Sequence, residues 1–425
     1  MIGAHRLSEK SKESRKIIKE HQTTDPLTLS DRDIRMIRTK VNDGRTRLGV
    51  KFTHDGLVKI DASSYVGIIA LPDGPTIEIR PKFDQINLLY LLRYATGVSS
   101  ETFEPTTNIM QGPNFIEALG TLFDSELQQL LRRGIRSKYR QKSSEEQYLR
   151  GTLDVTKQLR NSQTTAATSF HCSFDEHTPD MVLNQAVLYA ATVLANIITD
   201  QRLSRRLNRK AKQLRKRVTL RRVDSSELQK VEMSRFTSKY TDIIRLTEMI
   251  LTSSYIEDYT AGTNPTFSLL VNMNTVFERS IEQAFRHVAS SHQGYISQSQ
   301  RQIGDLLNSD KYSVSVKPDI VIKSRDGRVV CVADAKWKAG NPENSDFYQL
   351  AAYQQVAECP GVLVYPEQST IAEFRSELPD RTESSIVTVC INNRESYETF
   401  CNKLMLDIET YFTSTLGVTN SSHSN

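Results

Sequence analysis

Ser313-Val-Ser-Val-Lys-Pro-Asp319-Ile-Val-Ile-Lys323, then Ser324-Arg-Asp326-Gly327, then Arg328-Val-Val-Cys-Val-Ala-Asp334-Ala-Lys336-Trp337 is the stretch that decides the reading of this chain. Both flanks are rich in β-branched residues, and Asp326-Gly327 between them is a tight-turn signal, so the spacing predicts a β-hairpin. Strand side chains alternate faces. Val332, Asp334 and Lys336 therefore point one way, and Cys331, Ala333 and Ala335 the other. If Asp319 on the preceding strand comes alongside, two carboxylates and an ammonium converge at one end of a small sheet.

That combination outlines a metal site. Hard divalent cations prefer carboxylate and carbonyl oxygens and lower the pKa of a bound water, while a nearby lysine can orient that water or offset developing negative charge. Upstream, Leu270, Met273, Phe277, Ile281 and Phe285 recur at helical spacing, with Glu278 on the edge of the stripe and Glu282 further round. Downstream, Asp346, Gln349 and Tyr353 share one face of a predicted helix. A further apolar strand follows at residues 361–365. The plainer alternative is a surface hairpin whose Asp and Lys form exposed ion pairs, each contributing little.

The order helix with Glu278, strand with Pro318-Asp319, strand with Asp334-Ala-Lys336, helix with Gln349, strand, resembles the core of the PD-(D/E)xK nuclease superfamily. The resemblance implies catalytic roles for Asp319, Asp334, Lys336, Glu278 and Gln349, with Asp319, Asp334 and Glu278 as ligands of Mg²⁺ or Mn²⁺.

A chain of 425 residues is long enough for two or three domains, each with its own core. Its five cysteines are scattered, with no Cys-x-x-Cys pair, which argues against a zinc ribbon and for a reducing cytoplasm. No secretory signal opens it and no apolar run is long enough to span a bilayer, so a cytoplasmic location without membrane contact is expected. His171, Cys172 and His177 lack a fourth ligand and read as loop residues rather than a metal site.

The net charge of +5 is concentrated. Eleven Lys or Arg and no acid fall between Gln201 and Arg222, so the rest of the chain is net acidic. Leu203, Leu207, Ala211, Leu214 and Val218 recur at helical spacing, giving one buried stripe on a helix otherwise covered with cations. Such a helix suits a phosphate backbone, with Arg205, Arg209, Lys212 and Lys216 as candidate DNA contacts; a solvated charge face or an acidic partner protein fits the same pattern.

From the start of the chain, residues 1–28 read as a flexible charged extension. Residues 29–41 predict a short helix capped at Ser30, with Asp33 completing a capping box. Strands follow at 47–52, 57–61, 65–71 and 76–80, the last two joined across Pro72-Asp-Gly-Pro75, and suggest a small barrel or sandwich. Residues 86–95 predict a helix stopped at Gly97, and 115–135 and 183–198 two more.

This block carries a second resemblance. Val66-Gly67-Ile-Ile-Ala-Leu-Pro-Asp-Gly74, Ile77-Glu-Ile-Arg-Pro81-Lys82 and Leu88-Leu-Tyr-Leu-Leu-Arg93-Tyr94-Ala95, followed by Arg150-Gly151-Thr-Leu-Asp154 and Thr178-Pro179-Asp180-Met-Val-Leu183-Asn184, are similar to motifs of the McrC subunit family of methylation-dependent restriction systems. The resemblance implies a DNA endonuclease subunit of a nucleotide-dependent complex acting on modified double-stranded DNA. It also implies a McrB-like AAA+ GTPase ring as partner, which the N-terminal β-rich part would dock on and stimulate. The chain has no Gly-x-x-x-x-Gly-Lys-Ser/Thr loop, so no nucleotide is expected to bind to it directly. A non-catalytic adaptor of an AAA+ partner and a stand-alone PD-(D/E)xK nuclease are the alternatives.

The expected fold class is thus a multidomain α+β and α/β chain. It comprises the extension (1–28), a β-rich partner-docking module (29–110), a mainly helical middle region (111–262), a nuclease domain with a mixed sheet flanked by helices (263–416) and a disordered tail (417–425).

Overall fold

Tyr65–Ala70 and Thr76–Arg80 pair antiparallel across the Pro72-to-Pro75 turn, as their alternation and turn chemistry dictate. The computed structural model describes residues 15–98, 115–162, 169–231, 240–256, 266–292, 294–309, 311–378 and 382–417, and the chain divides into two units, one of residues 1–122 with 253–425, the other of 123–252.

In the first unit the Tyr65–Arg80 hairpin lies inside an open five-stranded sheet rather than a closed barrel. Arg15–Lys19 adds parallel to Thr76–Arg80; Phe267–Asn272 adds antiparallel to Tyr65–Ala70 and carries Ser254–Ile256 on its other side. Two expectations change here. Residues 15–28 are not a loose extension: they supply a strand, and Glu20 after it is buried; residues 1–14 lie outside the described residues. Leu270, expected on a helix, sits on the strand opposite Gly67, and the helix begins at Met273. A short apolar run beside a helix carries no periodicity of its own, so the sequence could not separate the two. Gly67 has φ +144°, and a Cβ there would lie 1.9 Å from the Leu269 carbonyl oxygen, so only glycine permits this pairing.

The hairpin of Leu48–Phe52 and Val58–Ala62 packs its inner residues Leu48, Val58 and Ile60 with Ile69, Ile77, Ile79 and Leu270 into one apolar core. Ser30 caps Asp31–Met36 in the expected capping box with Asp33, and a π-helical turn, Ile37–Val41, extends it. Leu88–Thr96 ends on Gly97 in the left-handed conformation, as its position after the last apolar residue predicts. The region 29–110 and the C-terminal part, expected as separate domains, thus share a sheet and belong to one unit.

The same unit holds a mixed six-stranded sheet in the order Tyr295–Ser299, Ile320–Ser324, Val329–Ala335, Gly361–Pro366, Glu383–Val389, Phe374–Glu377. The two contacts of Gly361–Pro366 are parallel and the other three pairings antiparallel. Ile320–Ser324 and Val329–Ala335 form the hairpin expected from Asp326-Gly327. The strand expected over 313–323 is interrupted: Ser313–Val316 pairs instead with Gly304–Asn308, and Lys317-Pro318-Asp319 lie between, where Pro318 has no N–H to continue a ladder. The two faces of Val329–Ala335 meet different helices. Val332 packs with Tyr353 of Asn344–Ala357, whereas the Cys331 thiol lies 3.5 Å from the Tyr411 hydroxyl of Tyr397–Leu416.

The second unit is more mixed than the helical region expected. Lys138–Glu146, Phe170–Thr178 and Thr152–Leu153 form a three-stranded sheet beside the helices Val182–Ile197, Gln201–Arg215 and Thr241–Ser253. His171, Cys172 and His177 lie on its central strand rather than in a loop, with Cys172 buried and accepting from the Arg150 N–H. Asp180 and Asn184, from the chain's middle motif, lock the helix entry. Asp180 accepts from the Thr219 N–H and hydroxyl and from Gln185, while Asn184 donates to the Arg136 and Pro179 carbonyls and accepts from the buried Tyr240 hydroxyl.

Candidate active site

Alternation along Val329–Ala335 places Asp334 on the face toward Asn344–Ala357, and Lys336 follows just past the strand end. Asp334 is 3% exposed, and its Oδ2 meets the Lys336 ammonium. The ammonium also donates to Gln349 Oε1 at 2.7 Å and lies 3.8 Å from Asp346 Oδ1. The Gln349 amide in turn donates to the Tyr353 hydroxyl. Helical spacing of three and four residues brings Asp346, Gln349 and Tyr353 to one side, and that side meets the lysine.

Asp319 is fixed from two directions. Its Oδ2 accepts the Ala335 N–H at 3.0 Å, which ties it to the strand end between Asp334 and Lys336, and its Oδ1 accepts from Gln300 Nε2 at 2.7 Å. Glu278 projects from Met273–Ser291, half-buried. Burial, then the charges of Asp319 and Asp334, push its carboxyl up to about 7, so it can hold or release a proton near neutrality. Burial and the Asp319 charge raise Asp334 as well, against the pull of Lys336. Burial also raises Glu282, and Asp319 adds to it. Burial and then Asp334 push the Tyr353 hydroxyl up to about 12.

Asp319, Asp334, Lys336, Glu278 and Gln349 are therefore neighbours in one electrostatic environment. The donor chemistry suits a hard divalent cation: every candidate ligand is a carboxylate, and a cation would relieve the repulsion that raises Glu278 and Asp334. Yet among the described residues no three His, Cys, Asp or Glu side chains are gathered as a ready metal cluster. Asp334 Oδ2 is turned to Lys336, so a three-carboxylate cage of Asp319, Asp334 and Glu278 is not preformed.

Sequence reasoning underrated Asp346. It is 3% exposed and accepts from Tyr365 OH at 2.9 Å and from Lys338 Nζ at 2.9 and 3.1 Å. Burial opposes its charge, but these donors and the Glu343 N–H hold its carboxyl below the ordinary range. Its place three residues before Gln349 was the available signal. Gln300 had none, because its role depends on a left-handed backbone, φ +51°.

In the second unit, Arg205, Arg209 and Lys212 are exposed on Gln201–Arg215 and Lys216 is exposed at its C-cap, while Leu203, Leu207, Ala211 and Leu214 are buried, as the stripe predicts. Lys210 departs from the pattern of a charged outer face. It is buried and donates to the Asp124 carboxylate at 2.8 Å and to its carbonyl at 2.7 Å, with Arg206 on the same carboxylate. Among the described residues no helix is long and apolar enough to cross a membrane.

The family model of the McrBC 5-methylcytosine restriction system component matches residues 60–366. A chain of the half-complex from the tetradecameric assembly of Thermococcus gammatolerans McrB AAA+ hexamers with bound McrC is similar in fold, with a TM-score of 0.59 at 17% identity; the match covers 92% of this chain and 99% of that one. A chain of the cryo-EM McrBC complex of the same organism gives 0.42 at 18% identity, covering 66% and 90%. No curated protein matches.

Proposed function

Because this chain belongs to the family of McrBC 5-methylcytosine restriction system components, we propose that it is the DNA endonuclease subunit of a nucleotide-dependent, modification-dependent restriction complex, working in the cytoplasm. It cleaves phosphodiesters in a PD-(D/E)xK-type site with Mg²⁺ or Mn²⁺. Its partner is a ring-forming AAA+ GTPase, in keeping with the McrB hexamers that hold McrC in the Thermococcus gammatolerans assembly. The observation that carries the catalytic reading is the Lys336 ammonium held between Asp334 and Gln349, with Asp319 tied to the same strand end.

Asp319 and Asp334 would hold the ion, with Glu278 completing the set. The ion supplies Lewis acidity and a water of lowered pKa. The chain's residues do the rest. Gln349 aims the Lys336 ammonium, which orients the attacking water and offsets charge on the transition state, a role that a fixed cation fills without reorganising. Arg205, Arg209, Lys212 and Lys216 grip the DNA backbone without reading sequence.

The test is reconstitution of the full chain with a McrB-type partner, GTP, Mg²⁺ and DNA carrying 5-methylcytosine. Cleavage is expected only with all components present. Asp334→Ala and Lys336→Ala should each abolish it while leaving partner binding and GTP hydrolysis intact. Cutting by the Asp334→Ala complex at the wild-type rate would refute the site.

A further inference from the structure

Trp337 follows Lys336 directly and is the one tryptophan in the chain. It is 3% exposed. Its indole N–H donates to both carboxylate oxygens of Glu20 at 3.2 Å, and its backbone carbonyl accepts from the Lys82 ammonium. Glu20 and Lys82 follow two adjacent parallel strands of the five-stranded sheet, Arg15–Lys19 and Thr76–Arg80, and are joined to each other by the Lys82 N–H on Glu20 Oε2 at 3.1 Å. The indole also meets Phe83 edge-on, with centroids 4.7 Å apart, and Phe277 at 5.5 Å. Phe277 is fully buried and immediately precedes Glu278. One ring thus sits one residue from Lys336 and against the residue next to Glu278, and its polar contacts all come from the end of the N-terminal sheet.

A stability role alone explains this poorly. Glu20 is 2% exposed, and burial pushes its carboxyl up and the Lys82 ammonium down, each partly restored by the other. A buried carboxylate held in this way gives little net stability over apolar packing, but it fixes geometry, because it must keep the indole and Lys82 N–H donors that satisfy it.

We propose that Glu20 and Lys82 are positioning residues for the cleavage reaction: by clamping Trp337 to the end of the five-stranded sheet they set the backbone from which Lys336 projects and the helix segment that carries Glu278. The proposal rests on the nuclease reading above. It makes the N-terminal sheet part of the catalytic apparatus, so that a partner bound to that sheet acts on the site through Trp337.

Because the tryptophan is unique, its emission in the isolated full-length chain reports the clamp without any metal or DNA. Glu20→Ala should red-shift that emission and open the indole to acrylamide quenching; in the reconstituted complex it should slow cleavage by about 100-fold, the cost of a misplacement of about 1 Å, with DNA affinity and GTP hydrolysis unchanged. Glu20→Gln, which keeps an acceptor for the indole, should restore both readouts. Should Glu20→Ala fail to fold, Lys82→Met leaves Glu20 on the indole but removes the ammonium from the Trp337 carbonyl and from over its ring, and should give the same paired change. An exposed indole with wild-type cleavage, or an unchanged indole in both variants, overturns the proposal. Wild-type cleavage by Lys336→Ala would instead strike the nuclease reading and leave the fluorescence result standing as a purely structural contact.

Discussion

The Lys336 ammonium is held 2.7 Å from Gln349 Oε1, across the gap between a strand end and the facing helix. That bond balances the pull of Asp334 on the other side. Gln349→Ala should let the ammonium settle fully on Asp334 and lower the cleavage rate about 10–100-fold, as small displacements of a catalytic group do. DNA affinity should not change. Single-turnover cleavage and a binding isotherm on the same preparation check this; a loss confined to affinity would contradict it.

The basic helix separates two kinds of cation. Replacing Arg205, Arg209, Lys212 and Lys216 with Gln should weaken DNA binding and flatten its salt dependence by about 0.9 in the log–log slope for each lost phosphate contact. Folding should be unaffected, since all four are exposed. Binding isotherms over a salt series decide it, an unchanged slope pointing to a solvated face.

Asp124→Ala should do the reverse. It strands the buried Lys210 ammonium and removes the partner of Arg206, lowering stability by about 3 kcal/mol with little effect on the salt slope. Denaturant unfolding measures the loss. A variant as stable as wild type would mean that Lys210 reaches water on its own.

Asp407, half-buried on Tyr397–Leu416, accepts the Cys390 N–H at 3.0 Å. Burial pushes its carboxyl up to about 6; Glu373 and Glu367 add to this, while the Cys390 bond and Lys403 oppose it. The folded chain therefore keeps this proton to a higher pH than the unfolded chain. Its contribution to stability is complete below the ordinary value of 3.8 and is lost as pH rises through about 6. Asp407→Asn keeps an acceptor for Cys390, so it should be more stable than wild type at pH 7 and converge with it near pH 4. Thermal unfolding across that range would show the difference opening; a constant offset would contradict it.

The hairpin with Asp334 and Lys336 was legible because period-two alternation and an Asp-Gly turn are local signals, and Gln349 because helical spacing is. Lys210 was legible in principle: it stands seven after Leu203, three after Leu207 and four before Leu214, inside the apolar stripe, but its charge hid the position. Glu20 was not legible. Its partner Trp337 lies at the far end of the chain, and nothing in the polar stretch around Glu20 encodes a contact of that range. The shared sheet was missed for the same reason, and it changes what a truncation means. Removing residues 47–82 would not simply detach a docking module; it would take away both strands on which Phe267–Asn272 and Arg15–Lys19 depend.

The shared sheet also imposes an order on synthesis. Tyr65–Ala70 leaves the ribosome long before Phe267–Asn272, the strand that covers its free edge, and the whole of the second unit is translated in between. At ~5–20 residues per second that wait lasts on the order of ten seconds or more. During it an apolar edge strand stands open to pairing with another nascent chain. The N-terminal sheet therefore closes only when the helix that carries Glu278 is about to emerge, and a prematurely terminated chain, lacking its covering strand, cannot complete either the sheet or the site.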